Sequence, residues 1–353
     1  MTTRHQNRIA ILCSKQTYHR YVDQADLQRL HDLAEVAWIG YDEQAEVDRV
    51  LSETDLAGQI GAATGLILSG GAPRITGALM DLMPDLRIIG DMDGDRFANR
   101  IDVEAAWARH IRVVDTTNGT SYPVAEWALG LILISLRNAG FHFRNIMAGD
   151  AKKRHEDSGY LRGDLTGKRV GLIGCGHIGR RLMKFLKPFE VDIYVHDPYL
   201  PREMADALGF TLTSLDNVMS GMDVIVCLAP LTPRTKGLIG KRELDLIPSN
   251  AVFVNVSRGA IVDSDALITR LKRGDIIAGL DVIDPEPIPS GSEIIHLPNV
   301  FLSPHIAGVT APSYPKMFAL MVDEMIRFFN GHEPYFELSP RSIANRRGTE
   351  YEV

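Results

Sequence analysis

Short apolar runs alternate with polar, helix-like segments along most of this chain, and this alternation restricts the fold more than any other feature. Strands separated by helical segments are joined by right-handed crossovers, which produce parallel sheets. The later runs are rich in Val, Ile and Leu with little alternation, as expected for parallel strands buried on both faces. The predicted strands are RIAILC (8–13), VAWIG (36–40), GLILSG (65–70), LRIIGD (86–91), IRVVDT (111–116), KRVGLIG (168–174), VDIYVHD (191–197), FTLTS (210–214), MDVIVCLA (222–229), AVFVNVS (251–257), IIAGLDVI (276–283) and VFLSP (300–304). The predicted fold class is therefore α/β.

The predicted strands form two groups, and the segment NGTSYPVAEWALGLILISLRN (118–138) lies between them. A chain of 353 residues is long for one hydrophobic core, so two doubly wound parallel-sheet domains are expected. Near the C-terminus, residues 311–334 are predicted to form one amphipathic helix that ends at Asn330 and Gly331. The polar residues that follow Leu338 are expected to be poorly ordered.

Composition and charge exclude several classes of function. Hydrophobic residues make up 45% and charged residues 24% of the chain, which is the balance of a soluble globular protein. The net charge of −7, with no Lys/Arg-rich run, argues against a nucleic acid partner. The longest apolar segment, 124–136, carries Glu126 and is shorter than the roughly 20 residues that span a bilayer, so no membrane segment is expected. Cys13, Cys175 and Cys227 lack the spacing of a metal site, which predicts buried free thiols in a reducing cytoplasm and no metal.

The stretch GLIGCGHIGR (171–180) carries three glycines in the pattern G-x-G-x-x-G. The pattern alone is weak, but here it follows a predicted strand and opens a helical stretch, where the backbone can approach a pyrophosphate closely. Asp197 ends the next strand, and a carboxylate about 20 residues after the first glycine can bind a ribose and repel a 2′-phosphate. The alternative is that Asp197 is a turn residue before Pro198. The expected cofactor-binding residues are Gly174, Gly176, His177, Ile178, Gly179 and Asp197, and the expected cofactor is NAD.

Three polar residues follow later strands of the second domain: Arg258 comes after FVNVS, Glu286 after GLDVI and His305 after VFLSP. An open parallel sheet presents its ligand crevice at the carboxyl ends of its strands. A guanidinium binds a carboxylate bidentately, and a carboxylate beside a histidine orients the ring and favours its charged form. Each residue could also be an ordinary surface or loop residue, and the spacing alone leaves both interpretations open.

The stretch from about Pro123 to Gly308 resembles the D-isomer-specific 2-hydroxyacid dehydrogenase family. The matching segments are VAEWALGLILISLRN, LIGCGHIGR, CLAPLTPRTKGLIG, NVSRGAIVDSDAL, AGLDVIDPEP and LPNVFLSPHIAG, in the order and spacing of the family. The resemblance implies that Arg258 binds the substrate carboxylate and polarises the carbonyl. It also implies that His305 is the acid/base and that Glu286 hydrogen-bonds to it.

The same resemblance implies further contacts and a domain arrangement. Asp281 would touch the nicotinamide end, and the cofactor groove would also be lined by Pro230, Val256, Ser257 and the backbone up to Gly308. The NAD-binding Rossmann domain would comprise residues 119–308. A flavodoxin-like substrate domain would comprise residues 1–118, completed by 309–353. The helix over 121–147 would reach across a homodimer.

The function implied is NAD-dependent interconversion of a D-2-hydroxy acid and its 2-oxo acid in the cytoplasm. A second hypothesis is an NAD(H)-sensing dimeric binding protein of the corepressor type, because such relatives keep the same site residues. Formate dehydrogenase is disfavoured, since it uses a glutamine where this chain has Glu286.

One loop departs from the pattern of the family, whose members carry a glycine-rich loop that helps to bind the substrate carboxylate. Here the corresponding stretch is GDMDGDRFANRID (90–102), which is rich in aspartate. It could determine specificity, or it could be a solvated acidic turn with Arg96 and Arg100 nearby. The candidate substrate-loop residues are Gly90, Asp91, Met92, Asp93 and Gly94. Phosphoglycerate dehydrogenases of the resembled family carry arginines after the third strand, where this chain has only Arg74, and this difference implies a substrate without a phosphate group.

Overall fold

The computed structural model describes residues 7–41, 52–92, 100–150 and 162–349. The chain divides into two compact units. The first unit comprises Met1–Thr120 together with Ala311–Val353, and the second unit comprises Ser121–Thr310. The predicted boundaries lie at 118/119 and 308/309.

The first unit contains a five-stranded sheet in which every described strand pair is parallel. Its strands are β1 (Arg8–Ser14), β2 (Glu35–Tyr41), β3 (Gly65–Leu68), β4 (Ile88–Asp91) and β5 (Arg112–Asp115). The strand order is β2-β1-β3-β4-β5, which is the flavodoxin-like doubly wound arrangement. The central strands are fully buried, because helices cover both faces of the sheet.

The second unit contains a seven-stranded sheet that is also parallel in every described pair. Its strands are β6 (Arg169–Ile173), β7 (Asp192–His196), β8 (Thr211–Leu212), β9 (Val224–Cys227), β10 (Val252–Asn255), β11 (Ile277–Leu280) and β12 (Val300–Leu302). The order β12-β11-β10-β9-β6-β7-β8 is that of a Rossmann fold, with the direction of winding reversing between β6 and β9. The predicted fold class is confirmed, and each predicted strand overlaps an observed one.

Helices connect the strands within each unit. In the first unit they are α1 (Lys15–Tyr21), α2 (Gln24–Leu33), α3 (Glu53–Ile60), α4 (Gly77–Asp81) and α5 (Val103–Ala108). In the second unit they are α6 (Ser121–Leu136), α7 (Ala139–Met147), α8 (His177–Leu186), α9 (Arg202–Leu208), α10 (Leu215–Gly221), α11 (Lys241–Leu246) and α12 (Ser264–Leu271). The first unit is completed by α13 (Ser313–Phe329) and α14 (Pro340–Arg347). Single 3₁₀ turns occur at Thr117–Thr120, Lys187–Phe189, Gly259–Ile261 and Glu293–His296.

The apolar segment between the two groups of strands differs from the prediction of one helix over 121–147. It forms two helices, because the chain takes a left-handed conformation at Asn138 (φ 43°), a residue type that tolerates it. Together with the preceding 3₁₀ turn, α6 belongs to a 20-residue helical stretch, Thr117–Leu136, that is long and apolar enough to cross a membrane, contrary to the expectation from 124–136. Half of this stretch is buried, and α6 packs against β10 and β11, as a core helix of a globular domain does.

The C-terminal polar segment also differs from its prediction, since it is helical. Ser339 caps α14 by accepting a hydrogen bond from the backbone N–H of Ser342, and Pro340 occupies a first-turn position that suits it. Ile343 is buried in the core of the first unit, so a tertiary contact stabilises a helix that is otherwise polar. The expectation of poor order is therefore wrong for residues 340–347.

Candidate active site

The glycine-rich turn after β6 leaves little room for side chains on its inner side. Gly174 has a φ of +93°, and a Cβ there would lie 2.8 Å from the backbone nitrogen of Ala229. A Cβ on Gly179 would lie 3.1 Å from the carbonyl oxygen of Gly174, so helix and strand pack closely. At Gly176, by contrast, a Cβ would meet nothing within 4 Å. This residue is the N-cap of α8 and supplies no side-chain cap, so the open N-terminus of the helix suits a pyrophosphate.

Asp197 lies directly after β7 and is hydrogen-bonded to the glycine-rich turn. Its Oδ2 accepts from the backbone N–H of Cys175 at 2.9 Å, and its Oδ1 accepts from the N–H of Tyr199 at 3.0 Å. Two oxygens with one such bond each keep lone pairs for ribose hydroxyls. Burial raises the pKa of the neighbouring Cys175 thiol to about 11, so this thiol adds no charge near neutral pH. His177 and Ile178, also predicted to bind the cofactor, form the first turn of α8.

The loops after β9 and β10 form the opposite side of the predicted cofactor groove. Ser257 is buried; its Oγ donates to the carbonyl of Ala229, and its backbone N–H donates to Oδ1 of Asn255 at 3.0 Å. Val256 is buried beside it, and Pro230 is exposed. The two loops are therefore fixed against each other at the carboxyl edge of the sheet.

Arg258 is held at the carboxyl end of β10 by its own loop. The side-chain amide of Asn255 donates to the carbonyl of Arg258 at 3.2 Å, and Nη1 of Arg258 donates to the carbonyl of Ser257 at 2.6 Å. Burial lowers the pKa of the Arg258 guanidinium, and the negative charge of Glu286 opposes this shift. A partly buried guanidinium close to a carboxylate keeps its charge and is oriented by it.

His305 and Glu286 form a hydrogen-bonded pair. Nδ1 of His305 lies 2.6 Å from Oε1 of Glu286, and the two side chains are 36% and 44% exposed. No hydrogen bond joins Nε2 of His305 to any residue of the described part of the chain. The ring is thus fixed through one nitrogen, and the other can meet a ligand. His305 itself has a left-handed backbone conformation with φ 55°.

Asp281 is buried and holds the loop that carries His305. Its Oδ1 accepts from the backbone N–H of Ile306 at 3.0 Å, and its Oδ2 accepts from the N–H of Ala307 at 2.9 Å. Its backbone carbonyl accepts from the N–H of His305 at 2.9 Å. Gly308, predicted to line the groove, follows in the same loop. The structure therefore brings together Arg258, Glu286, His305 and Asp281, all within the second unit.

Comparison with known proteins identifies the family. Residues 129–307 match the sequence model of the family described as D-isomer specific 2-hydroxyacid dehydrogenase, NAD binding domain. The chain belongs to this family. The resemblance found in the sequence is thereby confirmed, and NAD is the cofactor of the matched domain.

The proteins that this chain resembles include phosphoglycerate dehydrogenases and glyoxylate reductases. The chain is 32% identical over 287 residues to D-3-phosphoglycerate dehydrogenase of Methanocaldococcus jannaschii, covering 80% of this chain and 53% of that protein. It is 33% identical over 265 residues to glyoxylate reductase of Thermococcus gammatolerans, covering 74% of this chain and 78% of that protein. The crystal structure of a phosphoglycerate oxidoreductase from Rhizobium etli matches with a TM-score of 0.80 at 25% identity, covering 94% and 99% of the two chains. The chain spans about half the length of the first phosphoglycerate dehydrogenases that it matches.

The candidate substrate loop of this family member lies at the end of β4, in the first unit. Asp91 is 2% exposed, and both its carboxylate oxygens accept from Nη1 of Arg100, at 3.1 and 3.2 Å. Met92 is fully buried, and a Cβ on Gly90 would lie 2.2 Å from Sδ of Met321. The start of this loop is thus part of the core, and Asp91 is not a solvated acidic residue. Asp93 and Gly94 lie outside the described residues.

Three residues with a structural part in this dehydrogenase site were not singled out from the sequence. Asn255 and Ser303 hydrogen-bond to Arg258 and Asp281 through their side chains, and Trp127 hydrogen-bonds to Ser303. Ser303 lies inside the predicted strand VFLSP and Asn255 inside FVNVS, so their positions at strand ends indicate a place near the site. In the described ranges, no group of three or more His, Cys, Asp or Glu side chains could hold a metal ion.

Proposed function

We propose that this protein interconverts a D-2-hydroxy acid and its 2-oxo acid with NAD, and that His305 is the acid/base. The observation that carries the proposal is the 2.6 Å contact between Nδ1 of His305 and Oε1 of Glu286. It lies on the carboxyl edge of the sheet, next to the loop that holds Arg258. The residues at the open N-terminus of α8 fit the pyrophosphate of the cofactor, which supplies or accepts the hydride when bound.

Arg258 binds the substrate in this mechanism. Its planar guanidinium accommodates a carboxylate with two parallel hydrogen bonds, and its positive charge draws electron density from the adjacent carbonyl. Burial makes this charge more effective than it would be in water, because the surrounding dielectric is lower. Arg258 therefore orients the 2-oxo acid as well as binding it.

His305 moves the proton. Because Glu286 engages Nδ1, the nitrogen that faces the reaction is Nε2. In the reducing direction the imidazolium gives its Nε2 proton to the alkoxide that forms from the carbonyl. In the oxidising direction the neutral ring takes the proton of the hydroxyl group. General acid–base catalysis of this kind contributes about 10²–10⁴-fold to the rate.

A small acid without a phosphate group is the proposed substrate class. Arg74, the arginine after β3, is exposed, and a doubly charged phosphate is usually held by several cationic donors. The buried Asp91 has Arg100 as its partner, so its charge is compensated within the fold rather than presented to an anionic substrate. The relationship to glyoxylate reductases of similar length supports the same class.

The test follows NADH absorbance while the purified protein is offered glyoxylate, hydroxypyruvate, its phosphate, pyruvate and bulkier 2-oxo acids. We expect turnover of a non-phosphorylated acid, and a loss of about 10²–10⁴-fold in kcat with His305→Ala. His296→Ala, which changes an exposed histidine of the same unit, is the matched control and should retain activity.

Three results would contradict parts of this proposal. Undiminished turnover by His305→Ala would remove the acid/base role. Efficient turnover of the phosphorylated acid would overturn the substrate class. Tight binding of NADH without turnover of any acid would favour the NAD(H)-sensing binding protein instead.

We also propose a homodimer formed through the 121–147 segment, in the cytoplasm. Four large apolar side chains of α6 and α7 are exposed: Leu133, Phe143, Ile146 and Met147. Four exposed large apolar side chains on two consecutive helices are unusual on the surface of a monomer. Light scattering during size exclusion should show a dimer for the native chain and a monomer for Phe143→Glu. Leu208→Glu, at another exposed leucine, should remain dimeric. The three buried free thiols support a reducing compartment.

A further inference from the structure

A chain of hydrogen bonds links helix α6 to the loop of the proposed acid/base. Nε1 of Trp127 donates to Oγ of Ser303 at 3.0 Å, and Oγ of Ser303 donates to Oδ1 of Asp281 at 2.6 Å. The Asp281 carboxylate then accepts the backbone N–H groups of Ile306 and Ala307. The relay, meaning Trp127, Ser303 and Asp281, therefore ends on the two residues that follow His305.

The polarity of the relay follows from its chemistry. An indole nitrogen only donates, so Trp127 occupies a lone pair of the Ser303 hydroxyl. The single proton of that hydroxyl is then directed at Asp281, where it forms a short, charge-assisted bond. Asp281 is 1% exposed and Ser303 is 6% exposed, so water does not compete readily for these groups. Trp127 thus determines which way Ser303 donates, and Ser303 determines how the carboxylate is oriented.

His305 needs such support because its backbone conformation is uncommon. A non-glycine residue with φ near +55° persists only when its surroundings enforce it. The N–H of His305 donates to the backbone carbonyl of Asp281, and the next two N–H groups donate to the Asp281 carboxylate. Rotation of that carboxylate would release the last two bonds and allow the ring to leave Glu286.

We propose that Trp127 and Ser303 are positioning residues for His305. They orient the Asp281 carboxylate, and through it they keep the 305–307 backbone in the conformation that places Nδ1 of His305 on Glu286. The inference rests on the proposed role of His305 as acid/base. It adds Trp127 and Ser303 to the residues that determine the reaction rate. Trp127 belongs to α6, which lies far from His305 in sequence.

The test compares Ser303→Ala and Trp127→Phe with the native chain and with Trp107→Phe, a control in the first unit. We expect kcat to fall by about 10- to 100-fold in both variants of the relay, because small misplacements have costs of this order. The KM for the acid should change by less than about 3-fold, since the acid is proposed to bind Arg258, which is held by the separate loop after β10. Trp127→Phe keeps most of the ring packing, so this variant tests the relay if Ser303→Ala folds poorly.

A second readout does not depend on turnover. Nitrogen-15 spectra of labelled histidine, assigned with His305→Ala, report which ring nitrogen of His305 carries the proton. Contact with Glu286 favours the form protonated on Nδ1, and we expect this form to lose population in Ser303→Ala and Trp127→Phe but not in Trp107→Phe.

The outcomes separate the relay from the proposed function. A native spectrum and a kcat within 2-fold of the native value in both relay variants would overturn the inference. Equal losses in kcat, thermal stability and affinity for the acid would also overturn it, because they indicate a purely structural role. If the native chain turns over no acid, the proposed function fails, and the histidine spectra still decide whether the relay positions His305.

Discussion

Gly259 is the residue at which one added methyl group should damage the site most directly. A Cβ at this position would lie 2.2 Å from the carbonyl carbon of Ile283 and 2.5 Å from the backbone nitrogen of Asp284, whereas ordinary contact begins at 3.4 Å. Since both obstacles are backbone, the loops after β10 and β11 must move apart by about 1 Å. These loops carry Arg258 and Glu286. A misplacement of about 1 Å can reduce a rate 10²-fold, and overpacking of this kind costs about 1–3 kcal/mol of stability.

The assay for Gly259→Ala is steady-state reduction of the preferred 2-oxo acid, with urea unfolding measured in parallel. We expect kcat/KM to fall about 100-fold, equivalent to about 2.7 kcal/mol of transition-state stabilisation. Gly291→Ala, in the same unit, is the matched control, because a Cβ at Gly291 would meet no atom within 4 Å. This variant should behave like the native chain. A Gly259→Ala protein with native kcat/KM and native stability would refute the argument that this close approach positions Arg258.

Three further predictions concern stability and thiol chemistry. Arg144 donates to three backbone carbonyls around the start of β12. Arg144→Met should therefore lower the free energy of unfolding in urea by about 1–3 kcal/mol. An unchanged unfolding midpoint would contradict this prediction. Burial opposes ionisation of Asp275, but hydrogen bonds from Arg270 and Ser249 lower the pKa of its carboxyl overall. The ionised carboxylate therefore stabilises the fold above about pH 4, and this contribution is lost as the pH falls further. Asp275→Asn should make the free energy of unfolding less dependent on pH on the acid side. The Cys175 thiol, with a pKa raised to about 11 by burial, should be alkylated at pH 8 far more slowly in the native protein than in urea, as measured by mass spectrometry; equal rates would contradict its burial.

The strands and the glycine-rich turn were predictable because their signals are local. An apolar run bounded by polar segments identifies a buried strand, and the requirement for Gly174 follows from one tight turn. The positions of Arg258, Glu286 and His305 could be predicted for a related reason. Each residue follows a strand, and parallel strands end at the same edge of the sheet.

Features that depend on distant contacts were not predictable in the same way. Helix α14 has a polar composition, and it is stabilised by the burial of Ile343 and by ion pairs of Arg346 and Arg347 with Asp115 and Glu104. The capping residue and the proline at its start were visible, but tertiary contacts decided the outcome. The relay joins side chains far apart in the chain, and no spacing rule indicates which of them meet.

The loop after β11 contacts both of the other loops of the site, which explains how three separate loops keep fixed positions relative to one another. β11 lies between β10 and β12 in the sheet, with neighbouring strands about 4.8 Å apart. On one side, Gly259 allows the Arg258 loop to pack directly on the backbone at 283–284; on the other, Asp281 binds the His305 loop. The same loop carries Glu286. A disturbance of either outer loop therefore displaces one proposed catalytic side chain, whereas a disturbance of the β11 loop displaces Arg258, Glu286 and His305 together.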